Sequence, residues 1–120
     1  MNARKGSNSE RELVKMFLGI GWQASRIAGS GKMNLAPDII AGTKGRLLVI
    51  ECKSSGGPLI YINHEEAANL IEYAAKFGAE AWYGFRFNHC EWGFVRAEQV
   101  LGKNKAYPNE GISLKGLISL

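Results

Sequence analysis

The sequence predicts an α/β fold in which residues 1–120 form one domain, with a mixed five-stranded β-sheet flanked by α-helices. Three observations lead to this prediction. A chain of 120 residues matches the common size of one domain. Apolar residues recur with the period of a helix in two segments, and five shorter segments have the apolar pattern of strands. Because the connections between these segments are short, the helices are expected to pack on the faces of one sheet.

Two helices are predicted from their boundary residues. The first is expected to begin at a capping box, Ser-Asn-Ser-Glu at residues 7–10, and to end at Gly19. The second is expected over residues 64–77, with Gly78 as its stop. Its apolar residues span an arc of about 180°, wider than the roughly 100° stripe that faces a single core. One half is therefore expected to face a second copy of the chain, unless the C-terminal tail covers it.

Five strands are predicted around these helices. Residues 42–45 are expected to form the turn of one hairpin, and Asn88-His89 the turn of a second. The third strand is the most apolar segment of the chain, so it is expected in the centre of the sheet. The predicted strands are Trp22 to Ala28, Asp38 to Ala41, Arg46 to Lys53, Ala81 to Phe87 and Glu91 to Val95.

The composition excludes several classes of protein. The longest apolar stretch, Leu47 to Ile50, has four residues, against the roughly 20 needed to cross a bilayer, so no membrane span is expected. The N-terminal residues lack the apolar core of a secretory signal, which predicts an intracellular, cytoplasmic protein. Cys52 and Cys90 are isolated thiols, too few for a disulfide framework and without the spacing of a zinc site.

Positive charge is concentrated in the first half of the chain. Residues 1–53 hold nine Lys and Arg against four Asp and Glu, whereas residues 54–120 hold six against seven. A basic half of this kind fits a polyanionic partner such as nucleic acid. An ordinary solvated surface is the alternative.

Two acids and a lysine stand on two neighbouring predicted strands. Strand alternation places Glu51 and Lys53 on one face, with Cys52 on the other. If the two strands of the first hairpin pair outward from the predicted turn, Asp38 pairs with residue 49 or 50 and lies close to Glu51. Carboxylates on a buried strand need a compensating partner, and Mg²⁺ prefers carboxylate oxygens as ligands. The alternative is a structural salt bridge between Glu51 and Lys53, in which Asp38 is surplus.

Glu10 is a third candidate carboxylate. A helical projection at about 100° per residue places it on the apolar side of the first helix. There it faces the same core as the strands that carry Asp38 and Glu51. The alternative is that Glu10 only closes the capping box with Ser7.

Several strings of the sequence resemble those of a known protein family. The Pro37-Asp38 and Glu51-x-Lys53 pair alone resembles only the wider PD-(D/E)xK nuclease superfamily, which has the restriction-endonuclease-like fold. The further strings resemble the archaeal Holliday-junction resolvases over roughly residues 4–95. The strings are Arg4-Lys5-Gly6, Glu10-Arg11-Glu12-Leu13, Arg26-Ile27-Ala28-Gly29-Ser30-Gly31, Pro37-Asp38-Ile39-Ile40-Ala41, Ile50-Glu51-Cys52-Lys53, Leu70-Ile71-Glu72-Tyr73 and Phe77-Gly78-Ala79.

The resemblance implies a structure-selective, metal-dependent endonuclease of DNA recombination and repair. Such an enzyme resolves four-way junctions by paired hydrolysis of phosphodiester bonds near the crossover, with Mg²⁺ as its cofactor and Mn²⁺ as a substitute. It implies that Asp38, Glu51 and Glu10 bind the metal ion. It also implies that Lys53 is catalytic and that Ser30 lies in the active-site loop. The residues implied in DNA contact are Arg4, Lys5, Arg11, Arg26, Ser30 and Lys32.

A four-way junction is cut on two strands, whereas one chain offers one acidic cluster. A homodimer through the helix 64–77 is therefore expected, associated with the nucleoid in the cytoplasm. Lys53 has two candidate roles, as a stabiliser of charge on the phosphate or as a base that deprotonates water. Two alternative functions stay open: a related nuclease that acts on flaps or duplex ends, and a non-catalytic DNA-binding subunit.

Overall fold

The computed structural model describes residues 3–27 and 36–120, with side chains from Asn8 onward. Among the helices of these ranges, none is both long and apolar enough to cross a membrane. The helices and strands are α1 (Ala3–Gly19), β1 (Gln23–Arg26), β2 (Ile39–Thr43), β3 (Arg46–Ser55), β4 (Ile60–Tyr61), α2 (His64–Phe77), β5 (Glu80–Phe87), β6 (Gly93–Arg96), α3 (Ala97–Val100), β7 (Lys105–Ala106) and α4 (Leu114–Ile118).

Five strands form one mixed sheet in the order β1-β2-β3-β5-β6. β3 pairs in parallel with β5, whereas the other neighbouring strands are antiparallel. A parallel pair requires a crossover connection, which contains α2 here. The prediction of an α/β fold with a mixed five-stranded sheet is confirmed. β4 and β7 form a separate two-stranded sheet that was not predicted, because these two-residue strands have no readable period.

The sheet has an apolar core on each face. On one face, Leu13 and Phe17 of α1 pack against strand residues that include Ile50. On the other face, α2 packs against strand residues that include Val49. Neighbouring residues of β3 therefore enter opposite cores, as strand alternation requires. Residues 48–50 are fully buried, which confirms β3 as a central strand.

α2 has the predicted bounds because both of its ends carry strong local signals. Asn63 is the N-cap, and its side-chain oxygen accepts a hydrogen bond from the Glu66 N–H at 3.0 Å. Gly78 ends the helix in the left-handed region, with φ at 69°. The buried residues of α2 are Ala67, Leu70 and Ala74.

α1 begins earlier than predicted. Its backbone is helical from Ala3, so residues 7–10 lie inside the helix and do not cap it. The capping-box prediction was therefore wrong. Arg4 and Lys5 are good helix formers, and they let the helix continue toward the N-terminus past a motif that can also start one. Because Glu10 lies inside α1, its carboxylate does not cap the start of the helix.

The first hairpin has a tighter turn than predicted. Lys44 and Gly45 form the turn, and Thr43 pairs with Arg46 beside it. Gly45 has φ at 91°, a conformation that glycine adopts at little steric cost. The strands of this hairpin therefore meet one residue closer to the turn than expected, which fixes the register of the candidate site.

The C-terminal segment packs back onto the domain, as expected. α4 belongs to the core on the α1 face, where Leu117 is fully buried. Val100 and Ala106, from α3 and β7, belong instead to the core that contains α2. α2 is thus covered in part by residues 97–106, and Ala68, Ala75 and Phe77 on it stay exposed.

Candidate active site

Asp38 lies opposite Glu51 at the open end of the first hairpin. The β2–β3 register extends to this pair, since the Asp38 N–H donates to the Ile50 carbonyl oxygen at 3.1 Å. The Asp38 Oδ2 atom accepts a hydrogen bond from the Cys52 N–H at 2.9 Å. The predicted partner was residue 49 or 50, and the tighter turn moves the pairing to Glu51 itself. The predicted proximity of Asp38 and Glu51 therefore holds, with a corrected register.

Glu51 and Lys53 lie on the face of the sheet that α2 covers. Val49 is part of the core on that face, whereas Ile50 and Cys52 pack on the α1 face. Alternation along β3 then carries Glu51 and Lys53 to the side of Val49. Their predicted separation from Cys52 is confirmed. Burial raises the pKa of the Cys52 thiol, which therefore stays protonated at neutral pH.

Asp38 and Glu51 are largely buried acids that repel each other. The pKa of Glu51 is raised to about 8, chiefly by burial and to a lesser extent by the negative charges of Asp38 and Glu66. Burial also raises the pKa of Asp38 to about 6, although the hydrogen bond from Cys52 opposes the rise. Lys53 is the positive charge that acts on both acids, and it does not cancel the rise in either pKa. A bound cation would offset the excess of negative charge.

Glu10 lies near this pair but has another partner. Its Oε1 atom accepts a hydrogen bond from Arg26 Nε at 3.0 Å. Its charge acts on both Asp38 and Glu51 and raises the pKa of each. Within residues 3–27 and 36–120, no three His, Cys, Asp or Glu side chains gather closely enough to hold a metal ion. Asp38 and Glu51 are thus a pair of neighbouring carboxylates, and the metal-binding roles of Asp38, Glu51 and Glu10 stay predictions.

Glu66 is a site residue that sequence reasoning missed. Its Oε2 atom lies 3.0 Å from Lys53 Nζ, and its Oε1 atom accepts a hydrogen bond from the Tyr83 hydroxyl at 3.2 Å. Sequence reasoning assigned Glu66 only to the start of the second helix. One signal was available, because Glu66 precedes the buried Leu70 by one helical turn and so shares its side of α2.

The candidate DNA-contact residues are described only in part. Arg11 is exposed and donates to Asn8 Oδ1 at 3.3 Å, whereas Arg26 pairs with Glu10. The other candidates lie outside the described side chains. They are Arg4, Lys5, Ser30 and Lys32.

The fold and the site together define a class of protein. A mixed five-stranded sheet that carries an aspartate opposite a Glu-x-Lys motif on its central strand has the arrangement of the PD-(D/E)xK nuclease superfamily. The chain belongs to the archaeal Holliday junction resolvase (Hjc) family, whose model matches residues 1–119. The resemblance seen in the sequence is thereby confirmed.

Named relatives agree with this membership. The chain is 40% identical over 85 residues to the crossover junction endodeoxyribonuclease Hjc of Methanocaldococcus jannaschii, over 71% of this chain and 61% of that protein. It is 35% identical over 97 residues to Hjc of Archaeoglobus fulgidus, over 80% of this chain and 71% of that protein. The 1.6 Å structure of the A. fulgidus Hjc, a Holliday junction resolvase, superposes with a TM-score of 0.84 at 28% identity, over 93% of this chain and 97% of that one.

Proposed function

We propose that this chain is a metal-dependent endonuclease that resolves four-way DNA junctions by paired phosphodiester hydrolysis near the crossover. The observation that carries the proposal is the placement of Asp38 opposite Glu51, with Lys53 on the face of Glu51. The substrate class is supported by the relatives, which are named crossover junction endodeoxyribonucleases. The basic N-terminal half adds support, since it suits a polyanion.

Asp38 and Glu51 would hold Mg²⁺, or Mn²⁺ in its place. Mg²⁺ usually takes one or two carboxylates and completes its shell with water and substrate phosphate, so this donor set fits it. When bound, the ion supplies positive charge to the scissile phosphate and makes water more acidic. The Cys52 N–H holds Asp38 Oδ2 at 2.9 Å, which fixes the direction of the other carboxylate oxygen.

The direct test is cleavage of a synthetic four-way junction with Mg²⁺ and with a chelator. We expect paired nicks, symmetric about the crossover, only when the metal is present. A flap and a linear duplex of the same sequence serve as competitors. Preferred cutting of the flap or of duplex ends would assign another nuclease activity. Binding without cleavage in either Mg²⁺ or Mn²⁺ would assign a non-catalytic DNA-binding role.

Junction binding should depend strongly on salt, because phosphate contacts release counterions. Arg11→Ala should lower the slope of log K against log salt by about 0.9, the contribution of one phosphate contact. Filter binding between low and physiological salt measures the slope. Lys115→Ala is the matched control, since Lys115 is an exposed cation on α4, away from the proposed dimer interface. Equal effects of the two variants would contradict a DNA-contact role for Arg11.

We also propose that the protein acts as a homodimer formed through α2. Ala68 and Ala75 are small apolar residues that are exposed on the outer side of α2. Phe77, at the end of the helix, is 55% exposed, and its ring stacks on that of Tyr73. A groove of about 720 Å³ runs beside the end of this helix and is lined in part by Ile40 and Leu47. The groove reaches Gly78, directly after the last turn of α2. A two-fold dimer places two sites on the two strands that must be cut.

Ala75→Arg should raise the dimer dissociation constant by about 100-fold or more, because a long charged side chain would enter the proposed contact surface. Size-exclusion chromatography with light scattering over a dilution series measures this change. Tyr61→Arg is the control, since Tyr61 is 71% exposed on the separate two-stranded sheet. If Ala75→Arg stays dimeric while Tyr61→Arg dissociates, the interface lies elsewhere.

A further inference from the structure

The Lys53 side chain is held by a chain of two hydrogen-bonded contacts. Lys53 Nζ lies 3.0 Å from Glu66 Oε2, and the Tyr83 hydroxyl donates to Glu66 Oε1 at 3.2 Å. Both oxygens of the Glu66 carboxylate are therefore engaged by different partners. When both oxygens of a carboxylate are held by hydrogen bonds, the orientation of the carboxylate group is fixed. The carboxylate then also fixes the position of the Nζ atom at the end of a flexible lysine side chain.

The surroundings of Glu66 distinguish this contact from an ordinary surface ion pair. Its backbone N–H is bound by the side chain of Asn63, so the first turn of α2 holds its Cα in place. Tyr83 is fully buried in the sheet, and it pairs with Glu51 across β3 and β5. Its burial, and to a lesser extent the charge of Glu66, raise the pKa of the Tyr83 hydroxyl well above the usual range. The hydroxyl therefore keeps its proton and stays a hydrogen-bond donor. The pair of Lys76 and Glu72, on the same helix, has a 3.9 Å contact and two side chains that are mostly exposed.

The position of the contact connects it to the chemistry of the site. Lys53 shares a face of the sheet with Glu51, and Glu66 reaches this face from α2. Negative charge grows on the phosphate oxygens during hydrolysis, and a donor that is already oriented stabilises that charge best. The contact with Glu66 Oε2 fixes the direction of Lys53 Nζ. Lys53 is then suited to donate to a phosphate oxygen.

We propose that Glu66 is a positioning residue that orients the Lys53 ammonium toward the scissile phosphate, and that the Tyr83 hydroxyl fixes Glu66 for this role. This inference rests on the proposed nuclease function. Of the two roles that the sequence left open for Lys53, the fixed direction of its Nζ group favours that of charge stabiliser. Glu66 acts through Lys53 and touches neither the substrate nor the metal.

Single-turnover cleavage at saturating enzyme tests the proposal. Glu66→Gln should lower the cleavage rate constant by about 10- to 100-fold, and Tyr83→Phe by about 3- to 10-fold. Junction affinity should stay within about twofold in both variants, because neither side chain contacts the DNA. Glu65→Gln is the matched control, since Glu65 is the exposed neighbour in the same helical turn, and it should cut at the wild-type rate.

Coupling to Lys53 separates positioning from a structural effect. In a Lys53→Ala background, the added Glu66→Gln change should cause no further loss of rate. Glu66→Asp, which keeps the charge, should recover part of the rate. The Mn²⁺ affinity of Glu66→Gln, measured by titration without DNA, should stay within about tenfold of the wild-type value, because only a nearby charge is removed and no ligand is lost. The melting temperature of each variant shows that it is folded, and Tyr83→Phe tests the chain of contacts should Glu66→Gln fail to fold.

Three results would overturn the inference while leaving the proposed function intact. The first is wild-type cleavage by Glu66→Gln, and the second is independent losses that multiply in the double variant. The third is a loss of Mn²⁺ affinity of about 100-fold or more, which would make Glu66 a ligand. Failure of the wild-type chain to cut any junction would instead overturn the proposed function, and the inference with it.

Discussion

Asp38→Asn and Glu51→Gln should each lower the rate of junction cleavage by about 1,000-fold or more, with little change in junction affinity. Each amide keeps the shape of the side chain but removes one of the two charges that would hold the cation. Phosphate contacts elsewhere on the surface should carry most of the binding, so the variants should still bind the junction. Single-turnover nicking and a gel-shift titration on the same junction measure the two quantities.

The exposed acid Glu98 provides the control for this pair. Glu98→Gln removes the same charge from α3 and should leave cleavage unchanged. Normal cutting by either Asp38→Asn or Glu51→Gln would show that the two-carboxylate site does not hold the catalytic metal. Loss of cleavage together with loss of binding would point instead to a defect in the DNA surface.

Glu51→Gln should also stabilise the metal-free protein above about pH 8, by about 1–3 kcal/mol. The pKa of Glu51 is raised from 4.5 to about 8 in the folded state, chiefly by burial. The folded state therefore prefers the protonated acid, and no penalty exists below the unfolded pKa. The penalty grows as the pH rises from about 4.5 and is complete above about 8, so the wild type loses stability over this window. The amide cannot ionise and escapes the loss.

Urea unfolding in the presence of a chelator measures this difference at pH 5 and pH 9. The two proteins should differ little at pH 5, and the variant should be the more stable at pH 9. Mg²⁺ at pH 9 should raise the stability of the wild type and leave the variant nearly unchanged, because the ion binds the folded state through both carboxylates. A variant that is less stable than the wild type at pH 9 would contradict the account of Glu51 as an uncompensated acid.

These two effects have opposite signs, which is expected of a functional site. A pair of largely buried acids weakens the metal-free fold, and the same pair is what would attract the cation. A purely structural salt bridge between Glu51 and Lys53 would behave differently, because removal of one partner would then lower stability. Lys53 forms its salt bridge with Glu66, at 3.0 Å. This contact also argues against a purely structural salt bridge between Lys53 and Glu51.

Sequence reasoning succeeded where the signal is local. α2 was placed correctly because Asn63 and Gly78 mark its ends, and the face of Glu51 and Lys53 follows from the period of a strand. The apolar content of residues 46–53 was sufficient to identify a central strand. The fold class and the pairing of Asp38 with the Glu51 region were predicted for the same reason.

It failed where a distant contact or the exact length of a turn decides the outcome. The register of Asp38 depends on whether the turn lies at residues 43–44 or 44–45, and the φ of Gly45 settles this only in the folded hairpin. Glu66 reaches Lys53 because α2 crosses from β3 to the parallel strand β5, a juxtaposition that no local pattern encodes. The partner of Glu10 proved to be Arg26, 16 residues away, and the short β4 strand pairs with β7, which lies more than 40 residues further along the chain.

Anomalous diffraction from crystals soaked in Mn²⁺ shows whether Asp38 and Glu51 hold a cation. We expect one strong manganese peak in each chain, in contact with the carboxylates of both Asp38 and Glu51, and no such peak in Glu51→Gln crystals under the same soak. A wild-type crystal without manganese between these two side chains, or a variant that retains the peak, would contradict the claim that they form the cation site.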